Sequence, residues 1–293
     1  MTTCVDWDRP DLIFTRHISI GDWTSQGTDA DGTRWTLESI NWDDTPPVRV
    51  SFWPHAGKHG AVDPPGFYGP RVLTFTGAAW AADQYQLAKA KATLRGLAAD
   101  LNSGVDIVGH MADRDYLVHA KRSADWKITP LQHRGLRYEA QVTCADHRIY
   151  SADTHISTAT LLDQTGGLNS DLQFPFSFPF SFTPGAGVGV MQVVNAGTTT
   201  TDPIIDVYGP GNGLLLSDRA SGNYLRITTL AAGQFIRLDT ANKAALLMGY
   251  QSRRDLLGPG SQWFGLPAGQ DTVTFSADVY STAYAVMTWR DAW

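Results

Sequence analysis

The sequence predicts a mainly β protein built as two sandwich-like domains, the first carrying one α-helix. Three observations lead there. Short β-branched and aromatic runs recur along the whole chain between Gly, Pro, Asn and Asp turns. A single stretch in the first half switches to helical periodicity. The length of 293 residues exceeds one compact sandwich and suits two domains of roughly 100–150 residues each.

In the first half, residues 12–14, 34–37, 48–53 and 72–76 read as strands. Between Trp80 and Gly104 an apolar stripe follows, formed by Tyr85, Leu87, Ala90, Leu94, Leu97, Ala98 and Leu101 at three- and four-residue steps. Asp83 is placed to accept from the free amides of the first turn, and Gly104 to take the left-handed turn that ends the helix. Residues 105–108, 116–120, 126–129 and 136–143 then read as strands.

The segment from Gly166 to Gly185, GGLNSDLQFPFSFPFSFTPG, is the least ordinary part of the sequence. Phe174, Phe176, Phe178, Phe180 and Phe182 occupy every second position, so in an extended chain all five rings point one way. Pro175 and Pro179 have the opposite parity and lack amides, which limits such a strand to pairing by one edge. Five rings offer about 750–1,250 Å² of apolar surface. That area suits the core of the second domain, or packing between domains or subunits.

In the second half, residues 190–195, 204–208, 214–217, 224–228, 235–239, 245–248, 272–277 and 283–289 are strand-like. Turns rich in Gly, Asn, Asp and Pro separate them, as at 209–213 and 219–223, and none of it is helical.

Composition excludes several functions. The formal net charge is −6 and the pI about 5.7, which argues against a nucleic-acid clamp. No apolar run reaches the roughly 18 residues of a membrane span, and the start MTTCVDWDRPDL has no basic, apolar leader, so a soluble protein without membrane insertion is expected. Cys4 and Cys144 form no CxxC pair, and two buried thiols or one disulfide are both compatible with them. Between Ile149 and Asp218 there is no Lys or Arg, while Asp153, Asp163, Asp171, Asp202, Asp206 and Asp218 fall there, as a solvated linker or as an acidic surface.

No catalytic, metal or cofactor signature emerges. The eight histidines, at 17, 55, 59, 110, 119, 133, 147 and 155, lack ligand spacing, and His55 and His59 sit among Pro54, Gly57 and Gly60, where no helix would align them. There is no G-x-S-x-G elbow and no GK[ST] phosphate cradle. Glycosidase carboxylates have no local signature, and Trp53, Tyr68, Trp263 and Trp289 are candidate sugar-binding aromatics for which a core role is the simpler expectation.

The carboxyl half resembles the distal tail protein family of siphophages. Pro203-Ile204-Ile205, the strand ending at Ile227, GQFIRLDT at 233–240, Leu246-Leu247-Met248-Gly249, Trp263, Leu266-Pro267-Ala268-Gly269 and the final Val286-Met287-Thr288-Trp289-Arg290 carry that resemblance. In the first half, Tyr68-Gly69-Pro70-Arg71 running into Val72, Phe75 and Gly77 is similar to the family's ring domain. The GGL…FPFSFPF junction is similar to that of actinobacterial phage tail proteins.

The resemblance implies a ring-forming domain over 1–165, a junction over 166–186 and a galectin-like sandwich over 187–293. It implies a structural, non-enzymatic protein made in the host cytoplasm and placed at the distal end of the virion tail. Its partners would be five further copies in a hexameric ring, the tail tube protein, a tail-associated hub, and receptor-binding or other minor tail proteins. DNA would pass without specific binding, and six copies would carry a formal charge of about −36. The competing expectation is a carbohydrate-binding tail-tip module or a glycan hydrolase.

Overall fold

The computed structural model describes residues 16–131, 133–163 and 186–293. The chain divides into two compact units between Ala152 and Asp153.

The first unit contains β1 (His17–Ile20), β2 (Trp23–Thr24), β3 (Gly27–Thr28), β4 (Arg34–Ile40), β5 (Val48–Arg49), β6 (Trp53–Pro54), β7 (Ala61–Val62), β8 (Phe67–Tyr68) and β9 (Arg71–Trp80). After α1 (Gln84–Gly96) come β10 (Val105–His110), β11 (Asp115–Arg122), β12 (Lys127–Leu131), β13 (Gly135–Cys144) and β14 (Tyr150–Ser151). Eight strands run in the order β2-β1-β10-β11-β13-β9-β4-β3, with β12 added to β13 and β14 to β11. Only Lys121↔Thr143 and Arg122↔Val142 join β11 to β13, so the sheet is nearly two sheets hinged at one corner. Side chains from both parts fill one core with the helix, among them Ile18, Trp35, Phe75, Leu94, Ile107 and Leu136.

Alternation explains these strands. In β9, Leu73, Phe75 and Ala79 turn inward, and in β13 Leu136, Tyr138, Ala140 and Val142 do the same. Rings interlock at the centre: Trp23 meets Trp35 edge-on at 5.5 Å, and Tyr138 lies 6.0 Å from each. Trp35 donates its indole N–H to Asp29 at 2.8 Å, which satisfies the one polar atom of an otherwise buried ring.

The helix is shorter than its stripe predicts. Asp83 caps it as expected, accepting from the Gln86 amide at 2.8 Å, and Leu87, Ala90 and Leu94 are buried. Tyr85 and Leu101, however, are exposed and are removed from the core. The left-handed residue beside the helix end is Ala98, at φ 50°; Gly104 is left-handed as expected, at φ 76°, but lies well beyond the last helical residue, Gly96. Gly104 serves the entry into β10, where a side chain would meet the Ala120 carbonyl at 2.8 Å. Leu97 and Ala98 still pack inward, so the chain leaves the helix once its last apolar contacts are made.

The second unit holds β15 (His155–Thr160), β16 (Leu162–Asp163), β17 (Ala186–Gly187), β18 (Gly189–Asn195), β19 (Ile204–Tyr208), β20 (Gly211–Asp218), β21 (Tyr224–Leu230), β22 (Phe235–Asp239), β23 (Ala244–Leu247), β24 (Gln251–Ser252), β25 (Gly269–Ser276) and β26 (Tyr284–Trp289). A six-stranded sheet, β15-β26-β19-β22-β23-β24, lies over a four-stranded one, β18-β25-β20-β21, and their inner faces share one core that includes Met191, Ile205, Leu216, Ile236, Phe275 and Met287. This is a β-sandwich whose one helical element among the described residues is a single 3-10 turn, Arg254–Leu256.

Several expectations change here. His155–Thr160, grouped by sequence with the first domain, pairs along its whole length with Tyr284–Trp289 and belongs to the second unit. The glycine-rich 209–213 turn is partly strand: Gly211–Asp218 is one strand, and Gly213 at φ 59° makes room for Asp278, whose carboxylate stands 1.9 Å from where a Cβ would be. Residues 12–14, Cys4 and the five phenylalanines Phe174, Phe176, Phe178, Phe180 and Phe182 lie outside the described residues. Cys144 is a buried free thiol, pushed up by burial to about 11. Among the described residues no helix is long and apolar enough to cross a membrane.

Candidate interaction surface

Residues 48–53, read from sequence as one strand, form no part of the core. Between β4 and β9 the chain leaves the sheet as a hairpin in which Val48 and Arg49 pair with Tyr68 and Phe67, and Trp53 and Pro54 with Val62 and Ala61. The tip is a turn closed by the His55 amide on the Gly60 carbonyl at 3.1 Å, with Gly57 and Gly60 at positive φ. Pro46, Pro47, Pro54, Pro64 and Pro65 remove amides from both arms, which keeps the ladder short and prevents the hairpin from merging with a sheet.

This arm is apolar and wet. Val48, Val50, Phe52, Trp53, Val62, Phe67 and Tyr68 are between 40% and 64% exposed. Single exposed apolar residues are ordinary, but this many along one short hairpin make it the candidate interaction surface of the first unit.

The base of the arm is rigid by contrast. Trp42 is buried there, Asn41 accepts from the Thr74 amide at 2.6 Å and donates to the Val72 carbonyl at 3.2 Å, and the Gly69 amide donates to Pro47 at 2.6 Å. Arg71 is buried beneath it and donates to the His147 carbonyl at 3.0 Å and to the Asp44 carbonyl. Tyr68 stacks on His147 at 5.1 Å. The arm is therefore aimed by buried polar contacts and free only along its apolar length.

The candidate sugar-binding aromatics do not gather. Trp53 and Tyr68 lie on this arm, exposed against the expected core role, whereas Trp289 is buried and donates to the Val194 carbonyl at 2.9 Å, and Trp263 packs half-buried against the sandwich core. Across β22, β19 and β26 of the second unit, Phe235, Tyr208 and Tyr284 stand in register, with ring centroids 5.3 Å and 4.5 Å apart and planes within 26° and 7° of parallel. Their faces are turned to one another, which leaves mainly edges for any ligand.

The histidines are dispersed. His17 stacks on His110 at 4.3 Å, and His110 reaches Asp115 at 2.9 Å; burial, then His110, lowers the His17 pKa from its ordinary value while Asp115 opposes. His119 contacts Asp106 at 2.7 Å and His155 contacts Asp291 at 3.2 Å. Among the described residues no group of three or more His, Cys, Asp or Glu side chains is placed to hold a metal ion.

The stretch free of Lys and Arg is not one acidic face. Asp206 is held by Arg237 in a two-pronged ion pair at 2.8 and 2.7 Å, and Asp218 is buried. The sequence signal for the arm was present in the crowding of Pro with Val, Phe, Trp and Tyr between 46 and 70. Strand propensity masked it, because propensity does not say whether a strand finds a sheet.

Residues 196–293 match the family model described as the siphovirus-type tail component, C-terminal domain. Among solved structures, the Dit protein of phage SPP1, described as a paradigm of the hub adsorption apparatus in phages infecting Gram-positive bacteria, aligns with a TM-score of 0.64 at 11% identity, over 95% of this chain and 99% of that one. Chains of the phage P2 baseplate in its activated conformation, with Ca and with Sr, align with a TM-score of 0.50 at 10% identity, over 93% of this chain and 97% of those. Comparison with curated protein sequences returns no match. Residues 196–293 are thus similar to the siphovirus-type tail component C-terminal domain, and the chain shares the fold of the SPP1 Dit protein.

Proposed function

We propose that this chain is the ring-forming distal tail protein of a siphophage virion. Six copies close head to tail and join the tail tube to the hub of the tail tip, where other minor tail proteins attach. The first unit forms the ring and the second is a galectin-like sandwich appended to it; the protein turns over no substrate. The observation that carries this reading is the exposed apolar arm, Val48 to Tyr68. Such a surface costs free energy in water and gains it back on burial at about 25 cal/mol per Å². A heterologous contact, one patch against a different patch, is the geometry that closes copies into a ring.

The genome passes through this ring without being gripped. A net charge of −6 per copy favours repulsion of phosphates over their capture. Mass measurement across a concentration series, with negative-stain imaging of the protein alone and mixed with tail tube protein, tests the proposal. Six-fold annuli are expected. A chain that stays monomeric under every condition and binds or cleaves cell-wall glycan would replace this reading with the carbohydrate one.

A further inference from the structure

In the four-stranded sheet of the second unit, Asp218 ends β20 opposite Val273 of β25, and Asp271 lies two residues before Val273 on that strand. Both are buried, at 0% and 7% exposure. Asp218 accepts through Oδ2 from the Ser221 amide at 2.9 Å and from the Ser221 hydroxyl. Asp271 accepts through Oδ1 from the Thr272 amide at 2.6 Å, and the Ala220 amide also donates to it. The other two oxygens, Asp218 Oδ1 and Asp271 Oδ2, are buried with no protein donor, while the two carboxyl groups are within hydrogen-bonding reach of each other.

Neither carboxylate forms an ion pair with Lys, Arg or His among the described residues. The adjoining positions on β18 are Gln192 and Val193, those on β21 are Asn223 and Tyr224, and Arg219 follows in the turn, where its amide donates to the Thr272 carbonyl at 3.1 Å. Two ionised carboxylates buried side by side without a cation repel strongly, whereas one proton turns an orphaned oxygen into the donor that the other needs.

We infer that Asp218 and Asp271 hold a single shared proton that latches β20 to β25 beneath the β20–β21 turn, and that losing it as pH rises loosens this end of the sandwich. Burial, then the neighbouring Asp218, pushes Asp271 up from 3.8 to about 6. A carboxyl raised in the folded state binds its proton more tightly there than in the unfolded chain. The stability it confers is therefore full below about pH 4 and is lost as pH rises through about 6, levelling off above.

Hydrogen exchange of the full-length protein, read on peptides spanning residues 218–223 and corrected for intrinsic rates, tests this. Protection is expected to fall on the order of 100-fold between about pH 4 and pH 8. In Asp271→Asn the amide donates permanently to Asp218, so protection there should stay level. Infrared titration of the unaltered protein gives a second reading that needs no variant: a protonated-carboxyl band should persist at about pH 5, above the range of ordinary carboxylates, and vanish by about pH 8.

Absence of that band, or an equal loss of protection in wild type and Asp271→Asn, overturns the shared proton. So does recovery of protection at about pH 8 on adding calcium, which would make the pair a cation site.

Discussion

Gly77 and Tyr138 face each other across the β9–β13 pair, and the Tyr138 hydroxyl stands 2.2 Å from where a Cβ on Gly77 would be. That hydroxyl donates to the Thr36 carbonyl at 3.3 Å, so the absent side chain is the space through which β13 reaches β4 across β9. Gly77→Ala should destabilise the first unit by about 1–3 kcal/mol or more, since the ring must move and its hydroxyl lose a buried acceptor. Gly96→Ala, with nothing within 4 Å, should cost nothing. Denaturant unfolding of both variants checks this, and equal stabilities would contradict the packing described.

The helix supplies a second contrast. Leu94 is fully buried and Tyr85 is 71% exposed, although both fall on the stripe read from sequence. Leu94→Ala should cost about 2–5 kcal/mol through the cavity it leaves. Tyr85→Ala should change stability by no more than about 0.5 kcal/mol. A similar loss in both would restore the longer stripe.

The exposed arm predicts a separation of folding from assembly. Trp53→Ser combined with Phe67→Ser should leave the melting temperature within about 2 °C, because neither ring contributes to the core. The same double variant should abolish association with itself and with tail proteins, seen as loss of higher-mass species in sedimentation. Full association by the variant would remove the arm from the interface.

Acid should act on the first unit through Asp146. Burial alone would raise this carboxyl, but hydrogen bonds from Arg148 at 2.9 and 3.1 Å and from Tyr150 at 2.6 Å hold it below its ordinary value. Since its folded pKa is depressed, the stability it brings is present above the unfolded value of 3.8 and is lost as pH falls through the folded value. Asp146→Asn should therefore lower stability at neutral pH and flatten its decline below about pH 4. An unchanged acid limb in the variant would assign the decline to other groups.

Strands that alternate cleanly were legible in the sequence. Residues 204–208 and 235–239 coincide with β19 and β22, because Ile205, Val207, Ile236 and Leu238 point inward while Asp206 and Arg237 pair on the outside. The Asp83 cap was legible too, since its donor lies three residues away. His17–Ile20 was missed although Ile18 and Ile20 alternate with polar neighbours, because two inward residues make too short a pattern to stand out. The family resemblance was carried by turn and packing phrases of the second half, where the family model also matches.

The kinds of element and the balance of strand over helix were written locally, because both rest on interactions between near neighbours in the chain. That Val48 and Trp53 stay in water, that His155–Thr160 joins the last strand of the chain, and that Asp218 and Asp271 are buried together follows from the folded arrangement of the strands. Each depends on partners far apart in sequence, and a propensity read in a local window says nothing of which distant strand will take up a residue's hydrogen bonds or cover its side chain.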